Sequence, residues 1–271
     1  NGGLIHFGLS YLYKLPFKKR VKGYLNPNHL SDKPDLASCI FGYTHAECSL
    51  KGRVQFSHCF MDKGQDTGEI TKLYLGSPKP TYYPVYIEQR GKDGYPEEDF
   101  KTFLDEDARI KGWKRYPVQN ELNDYTPLAA IKPENLSCFI AIKPDSVFLL
   151  KIRFHNLRKC EIGALLQAIT PSTTFSHSMG LAKPFGFGRV SISNVVLRGC
   201  KFDQDVYTAS FKQLMEEAYT GYPKSPQINE LRLMGIPQTT KVPLIYMSLK
   251  EFVDKKRQKR EDNGRGSLIN P

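Results

Sequence analysis

The sequence predicts an α+β fold, and three segments between residues 147 and 197 carry that expectation. The first, Val147 to Phe154, alternates: Phe148, Leu150, Ile152 and Phe154 fall on one side, and Leu149, Lys151 and Arg153 on the other. A period of two marks a half-buried strand, here with one apolar and one largely basic face. The second, Glu161 to Ile169, sets Ile162, Leu165, Leu166 and Ile169 at the spacing of a helix stripe packed on a sheet. The third, Arg189-Val-Ser-Ile-Ser-Asn-Val-Val-Leu197, alternates again. Strand, helix, glycine-rich loop and strand make half of a ferredoxin-like module, with helices on one face and an open, basic face as in RNA-recognition (RRM-like) folds.

The loop between helix and last strand is the densest chemistry in the chain. His177 to Arg189 holds Gly180, Gly186 and Gly188 together with Pro184, Lys183 and Arg189. Glycine admits positive φ and the close approach of another backbone, so a cation-flanked glycine loop suits a phosphodiester chain. A tight connection between two elements is the plain structural alternative. The loop lacks the Gly-Lys-Ser/Thr ending of a P-loop, and no helix N-terminus follows to receive a pyrophosphate. Candidate RNA contacts are therefore Gly180, Lys183, Gly186, Phe187, Gly188 and Arg189. His177, at the mouth of the loop, is the candidate general acid/base if the chain is instead a metal-independent endoribonuclease.

Composition points to the same partner class. Thirty-nine Lys and Arg against 28 Asp and Glu give a net charge of +11, which favours polyanions through phosphate neutralisation and counterion release. Sixteen Phe and 15 Tyr are available for stacking. No apolar run reaches the roughly 18 residues of a membrane span. Six cysteines (39, 48, 59, 138, 160, 200), without C-x-x-C spacing, read as free thiols of a cytoplasmic protein. His45, Cys48, His58 and Cys59 have ligand-like spacing. Adjacent strand residues His58 and Cys59 would nevertheless face opposite ways, so neither metal nor cofactor is expected.

In chain order, residues 4 to 17 read as a strand ended by Pro16, followed by a basic cluster at Lys18, Lys19, Arg20 and Lys22. Asp35 to Phe41 reads as a short helix stopped by Gly42. Lys51 to Phe60 alternates as a strand, with Val54, Phe56, His58 and Phe60 opposite Arg53, Gln55, Ser57 and Cys59. The proline-interrupted stretch 62–130 reads as an insertion carried on the core or as a projecting hairpin, and within it Lys111-Gly-Trp-Lys-Arg-Tyr116 mixes cations and aromatics in the way that pairs phosphates and stacks bases. Asp205 to Tyr219 and Ile228 to Met234 read as helices, and 254–271 as a basic, solvated tail.

Two blocks also carry a resemblance. Phe154-His-Asn-Leu-Arg-Lys-Cys-Glu-Ile-Gly-Ala-Leu-Leu166, then His177-Ser-Met-Gly-Leu-Ala-Lys-Pro-Phe-Gly-Phe-Gly-Arg-Val190, resembles the C-terminal signature of CRISPR-associated RAMP proteins of the effector-backbone type. Asp35-Leu-Ala-Ser-Cys-Ile-Phe-Gly42 and Lys51-Gly-Arg-Val-Gln-Phe-Ser57 are similar to an earlier block of the same proteins. Ile162 stands where the family has leucine, and Ala182 where it has glycine. The resemblance implies a single RAMP-like domain over 1–271, binding guide RNA as a backbone subunit of a type III effector ribonucleoprotein complex in antiviral defence. It implies other effector subunits as partners, target RNA as a further ligand, and an insertion that reaches across the guide. It adds Lys51, Arg53, Lys114 and Arg115 as RNA contacts, with Lys14, Lys18 and Arg20 in second rank. The family's nuclease aspartate lies beside a Pro-Gly-Ser-Ser-Leu-Lys-Gly-like segment that this sequence lacks, so no catalytic residue is carried over. The expectation is a non-catalytic chain, the C-terminal portion of a longer protein whose first part, missing or on another chain, completes it; the alternative stays open of an endoribonuclease that processes guide RNA with His177, as the resemblance implies for RAMP enzymes of that kind.

Overall fold

A computed structural model describes residues 19–27, 30–31, 33–45, 47–75, 86–88, 101, 103–112, 114–122 and 133–237. The strand expected over 4 to 17, Lys14, Lys18, Trp113 and the basic tail lie outside the described residues. The chain divides into two compact units, one formed by Asn1–Ser31, Ser77–Lys114 and Met247–Pro271, the other by Asp32–Gly76 and Arg115–Tyr246.

The described core of the first unit is Tyr24, Ile87 and Ala108, with Phe103 and Ile110 against them. Val21–Tyr24 forms a single 3-10 turn, which carries the Tyr24 ring inward. Its hydroxyl donates to the Phe103 carbonyl at 2.5 Å, satisfying the one polar atom of a buried ring. Arg20 precedes that turn and is exposed.

The second unit is a mixture of helices and short antiparallel strands. Helix α1 (Leu36–Phe41) is capped by the Asp35 carboxylate, which accepts from the Ser38 amide at 2.7 Å, and ends at Gly42 with φ of 90°. A small pair follows, β1 (Tyr43–Thr44) with β2 (Ser49–Leu50). Strands β3 (Val54–Phe56), β4 (Phe60–Lys63) and β5 (Asp66–Leu73) then run out and return as β6 (Ser137–Ile142), β7 (Val147–Leu149) and β8 (Ile152–Phe154). They pair β3 with β8, β4 with β7 and β5 with β6, all antiparallel, so that residues 54–73 lie along residues 137–154. The stretch from 62 to 73, expected to open the insertion, thus belongs to a ladder continuous in direction with the strand before it. Ile70, Ile140 and Ile142 share one face of β5 and β6 and are exposed, so apolar cover is concentrated at the other end, where Phe154 meets the helices.

Helix α2 (Lys159–Ile169) follows β8, and β9 (His177–Ser178) pairs with β10 (Arg189–Val190). Helices α3 (Gln204–Ala218) and α4 (Pro226–Gly235) complete the unit. Ile162, Leu166 and Tyr207 form the buried seam between α2 and α3, with Phe154, Leu157, Val195, Leu197 and Phe202 against it. Each fully buried aliphatic side chain there contributes about 1.5–3 kcal/mol. Gly163 lets the helices touch, because a Cβ at that position would run into the Tyr207 carbonyl.

The strand expected from Arg189 to Leu197 pairs only at Arg189 and Val190. Asn194 takes φ of 53°, and this left-handed residue shifts the alternation so that Val195 and Leu197 turn to the helical seam while Val196 is exposed. The alternating pattern was real; a helix pair, not a neighbouring strand, receives its apolar side. No helix among the described residues is long and apolar enough to cross a membrane.

Candidate nucleic-acid interface

The glycine loop is the connection of the β9–β10 hairpin. Arg189 sits opposite Ser178 and Val190 opposite His177, and the Met179 amide donates to the Gly188 carbonyl at 2.8 Å. Gly188 has φ of 74°, and a side chain there would collide with the Met179 carbonyl; Gly186, at φ of 87°, presses against the Glu121 carbonyl. These two glycines serve close backbone packing. Gly180 differs: its φ is 78°, yet nothing stands within 4 Å of where a Cβ would be. The two inner glycines therefore fix the loop, and the outer one opens it.

Between them Ala182 is left-handed at φ of 57°, and Lys183–Phe185 forms one 3-10 turn. Buried Gln119 donates its side-chain amide to the Pro184 carbonyl at 2.6 Å and anchors that turn from below. Phe187, expected to contact RNA, packs edge-on against Phe139 of β6, with ring centres 5.4 Å apart. It ties the loop to the ribbon. Met179, Gly180 and Leu181 form the exposed crown, and no hydrogen bond among the described residues engages the Gly180 or Leu181 amide.

The two loop cations lie on this crown and its flank. Lys183 Nζ donates to the Gly180 carbonyl at 2.7 Å, and Arg189 Nη1 to Asn120 Oδ1 at 3.3 Å. Among the described residues neither forms an ion pair with a carboxylate. A cation held by neutral oxygens keeps its full charge for an incoming anion.

Arg53 behaves differently from the expectation of a phosphate contact. Its Nε and Nη2 donate to the Cys39 carbonyl at 3.1 and 2.5 Å, Nη1 to the Asn156 carbonyl at 2.5 Å, and Nη2 also to Glu161 Oε1 at 2.5 Å. The guanidinium is an internal clamp joining α1, the segment after β8 and the start of α2. Burial pushes the Glu161 carboxyl up, but the Arg53 hydrogen bond, the Arg158 amide at 2.6 Å and the charges of both arginines outweigh it, so Glu161 ionises below its ordinary value. Lys51, two residues earlier, is exposed.

The Lys111 to Tyr116 motif is divided: Lys114 falls in the first unit and Arg115 in the second. The Lys114 ammonium is held below its usual range, by burial first and by the like charge of Lys111 second. The Arg115 guanidinium lies over the Phe175 ring, 5.5 Å from its centre.

His177 Nε2 lies 2.7 Å from the Ile169 carbonyl, and its ring meets Phe175 edge-on at 5.0 Å. A carbonyl oxygen can only accept, so Nε2 carries the hydrogen, and the ring closes the C-terminal end of α2 instead of facing the crown. Among the described residues no group of His, Cys, Asp and Glu is gathered as a metal would need. The arrangement can hold an anionic chain, and among the described residues it assembles no acid–base pair. Sequence reading missed Gln119, Asn120 and Glu121, the segment under the loop, because nothing in their local pattern marks a partner more than sixty residues away. No protein-family model matches the chain, and no curated protein is similar to it in sequence.

Proposed function

We propose that this chain is an RNA-binding subunit or segment of a type III CRISPR ribonucleoprotein effector, built on a ferredoxin-like RAMP core, that holds the backbone of guide RNA. In this reading it works in the cytoplasm, in antiviral defence, beside other effector subunits and without catalysing a reaction itself. The observation that carries the reading is the crown of the β9–β10 loop: an open Gly180, and, among the described residues, Gly180 and Leu181 amides without a hydrogen bond and Lys183 and Arg189 without carboxylate partners. Such a surface offers hydrogen-bond donors and positive charge to a phosphate track and reads no base, as guide-holding requires. The net charge of +11 and the two sequence blocks similar to RAMP proteins support it.

Photocrosslinking tests the placement. Single-stranded RNA with photoreactive uridines, irradiated with the protein and digested to peptides, is expected to label the peptide spanning 177–190. Saturable RNA binding with every crosslink elsewhere would move the interface off this loop.

A further inference from the structure

A cleft of about 310 Å³ opens among α2, α3 and α4 in the second unit; His177 of β9 is among its lining residues, and the crown residues Met179 to Leu181 are not. Half-buried Tyr222 contributes aromatic surface to it above the buried rings of Phe175 and Phe211, and Arg115, Lys212 and Arg232 contribute three cations. Among the described residues no Asp or Glu lines it. The aromatic walls are braced: Phe211 and Tyr222 meet edge-on at 5.9 Å, and Gly235 makes room for the Phe175 ring, which a side chain there would strike. Arg232 is steered by the Pro223 carbonyl at 3.4 Å, and Arg115 by the face of Phe175. Lys212 projects from α3 as an exposed ammonium with neither hydrogen bond nor ion pair among the described residues. Burial pushes the Tyr222 phenol up from its ordinary value and outweighs the opposing charge of Arg232.

We propose that this cleft is a nucleotide-binding site, with a base against the Tyr222 ring and a phosphate among Arg115, Lys212 and Arg232. The volume lies at the lower end of the ~300–1,000 Å³ range of ligand pockets, which suits a mononucleotide and leaves no room for a dinucleotide cofactor. Three cations without a carboxylate match a phosphate monoester, which carries about −1.5 to −2 charges, better than a single carboxylate. The face of Tyr222 accepts any base, so the site selects ring plus phosphate, not base identity. The inference stands apart from the crown and does not require it.

Isothermal titration with AMP and UMP tests it. The expected result is saturable one-site binding, at least tenfold weaker for adenosine than for AMP, and at least tenfold weaker for AMP in Lys212→Glu and Tyr222→Ala. Lys212 is exposed, so its charge reversal leaves folding intact, which a matching thermal melt verifies. The Lys183→Ala, Arg189→Ala variant should bind AMP as the unaltered chain does, so loss of RNA binding at the crown and loss of this site are read separately. In that same variant, an oligonucleotide with a terminal monophosphate that displaces AMP makes an RNA end the source of the nucleotide; failure to displace it makes a free nucleotide the source. Equal affinity for adenosine and AMP, undiminished binding by Lys212→Glu, or no saturable binding of any of these probes overturns the proposal.

Discussion

Replacing Arg53 by alanine tests whether that side chain holds the molecule together instead of touching a ligand. The guanidinium reaches two backbone carbonyls and the Glu161 carboxylate, and the paired side chains are only 13% and 6% exposed. Removing one member of a buried pair costs about 3–5 kcal/mol, because the other charge is left without its partner. Glu161 keeps the Arg158 amide, which places the loss near 3 kcal/mol, or about a hundredfold in the unfolding constant. Urea denaturation should show the midpoint falling by about 1–3 M. The pH dependence gives a second check. In the native chain Glu161 ionises below its ordinary 4.5, so the pair's contribution is complete above that value and fades as pH falls through the lower folded pKa. Without Arg53, burial is left to push the carboxyl up, so the deficit of the variant is largest near neutrality and shrinks in acid. Arg53→Met with Glu161→Leu should recover most of the loss, since an apolar pair of similar volume replaces the ions. A loss in Arg53→Ala below about 1 kcal/mol at neutral pH, together with weaker RNA binding, would refute the clamp and return Arg53 to the interface.

Other substitutions discriminate in the same way. Gly163→Ala gains about 1 kcal/mol of helix propensity but drives a methyl into the Tyr207 carbonyl, so thermal melting should show net destabilisation where an ordinary helical glycine would show a gain. Gly188→Ala should disrupt the hairpin through both its collision with Met179 and its positive φ, whereas Gly180→Ala meets only the φ cost of about 1–2 kcal/mol; proteolysis within the loop compares them. His177→Ala should cost about 1 kcal/mol in a denaturation curve through the lost bond to Ile169, and leave any cleavage of labelled guide precursor unchanged.

The helices were legible because their signals are local. Asp35 and Gly42 bracket α1, and the stripe of Ile162, Leu165 and Leu166 marks α2 without reference to anything distant. The faces of β8 could be read from alternation, but Phe56 of β3, expected on an apolar face, is 55% exposed, and neither the pairing register nor the extension of the ladder through residues 62–73 could be read. Arg53 looked like a surface cation because its deciding partners, Asn156 and Glu161, lie 103 and 108 residues away. The glycine loop was legible as a loop with unusual backbone. That Gly186 and Gly188 are used against the Glu121 and Met179 carbonyls, leaving Gly180 open, needed the tertiary neighbours. Phe187 shows the same limit, since a loop phenylalanine reads alike whether it stacks on a base or on Phe139.

The salt dependence of RNA binding tests the crown most directly. Each phosphate neutralised on a single strand contributes about −0.7 to the slope of log affinity against log salt, so replacing both Lys183 and Arg189 by alanine should make that slope shallower by about 1.4 and weaken binding at low salt. An unchanged slope with unchanged affinity would contradict the account, because the charge gathered on the crown would then face no phosphate.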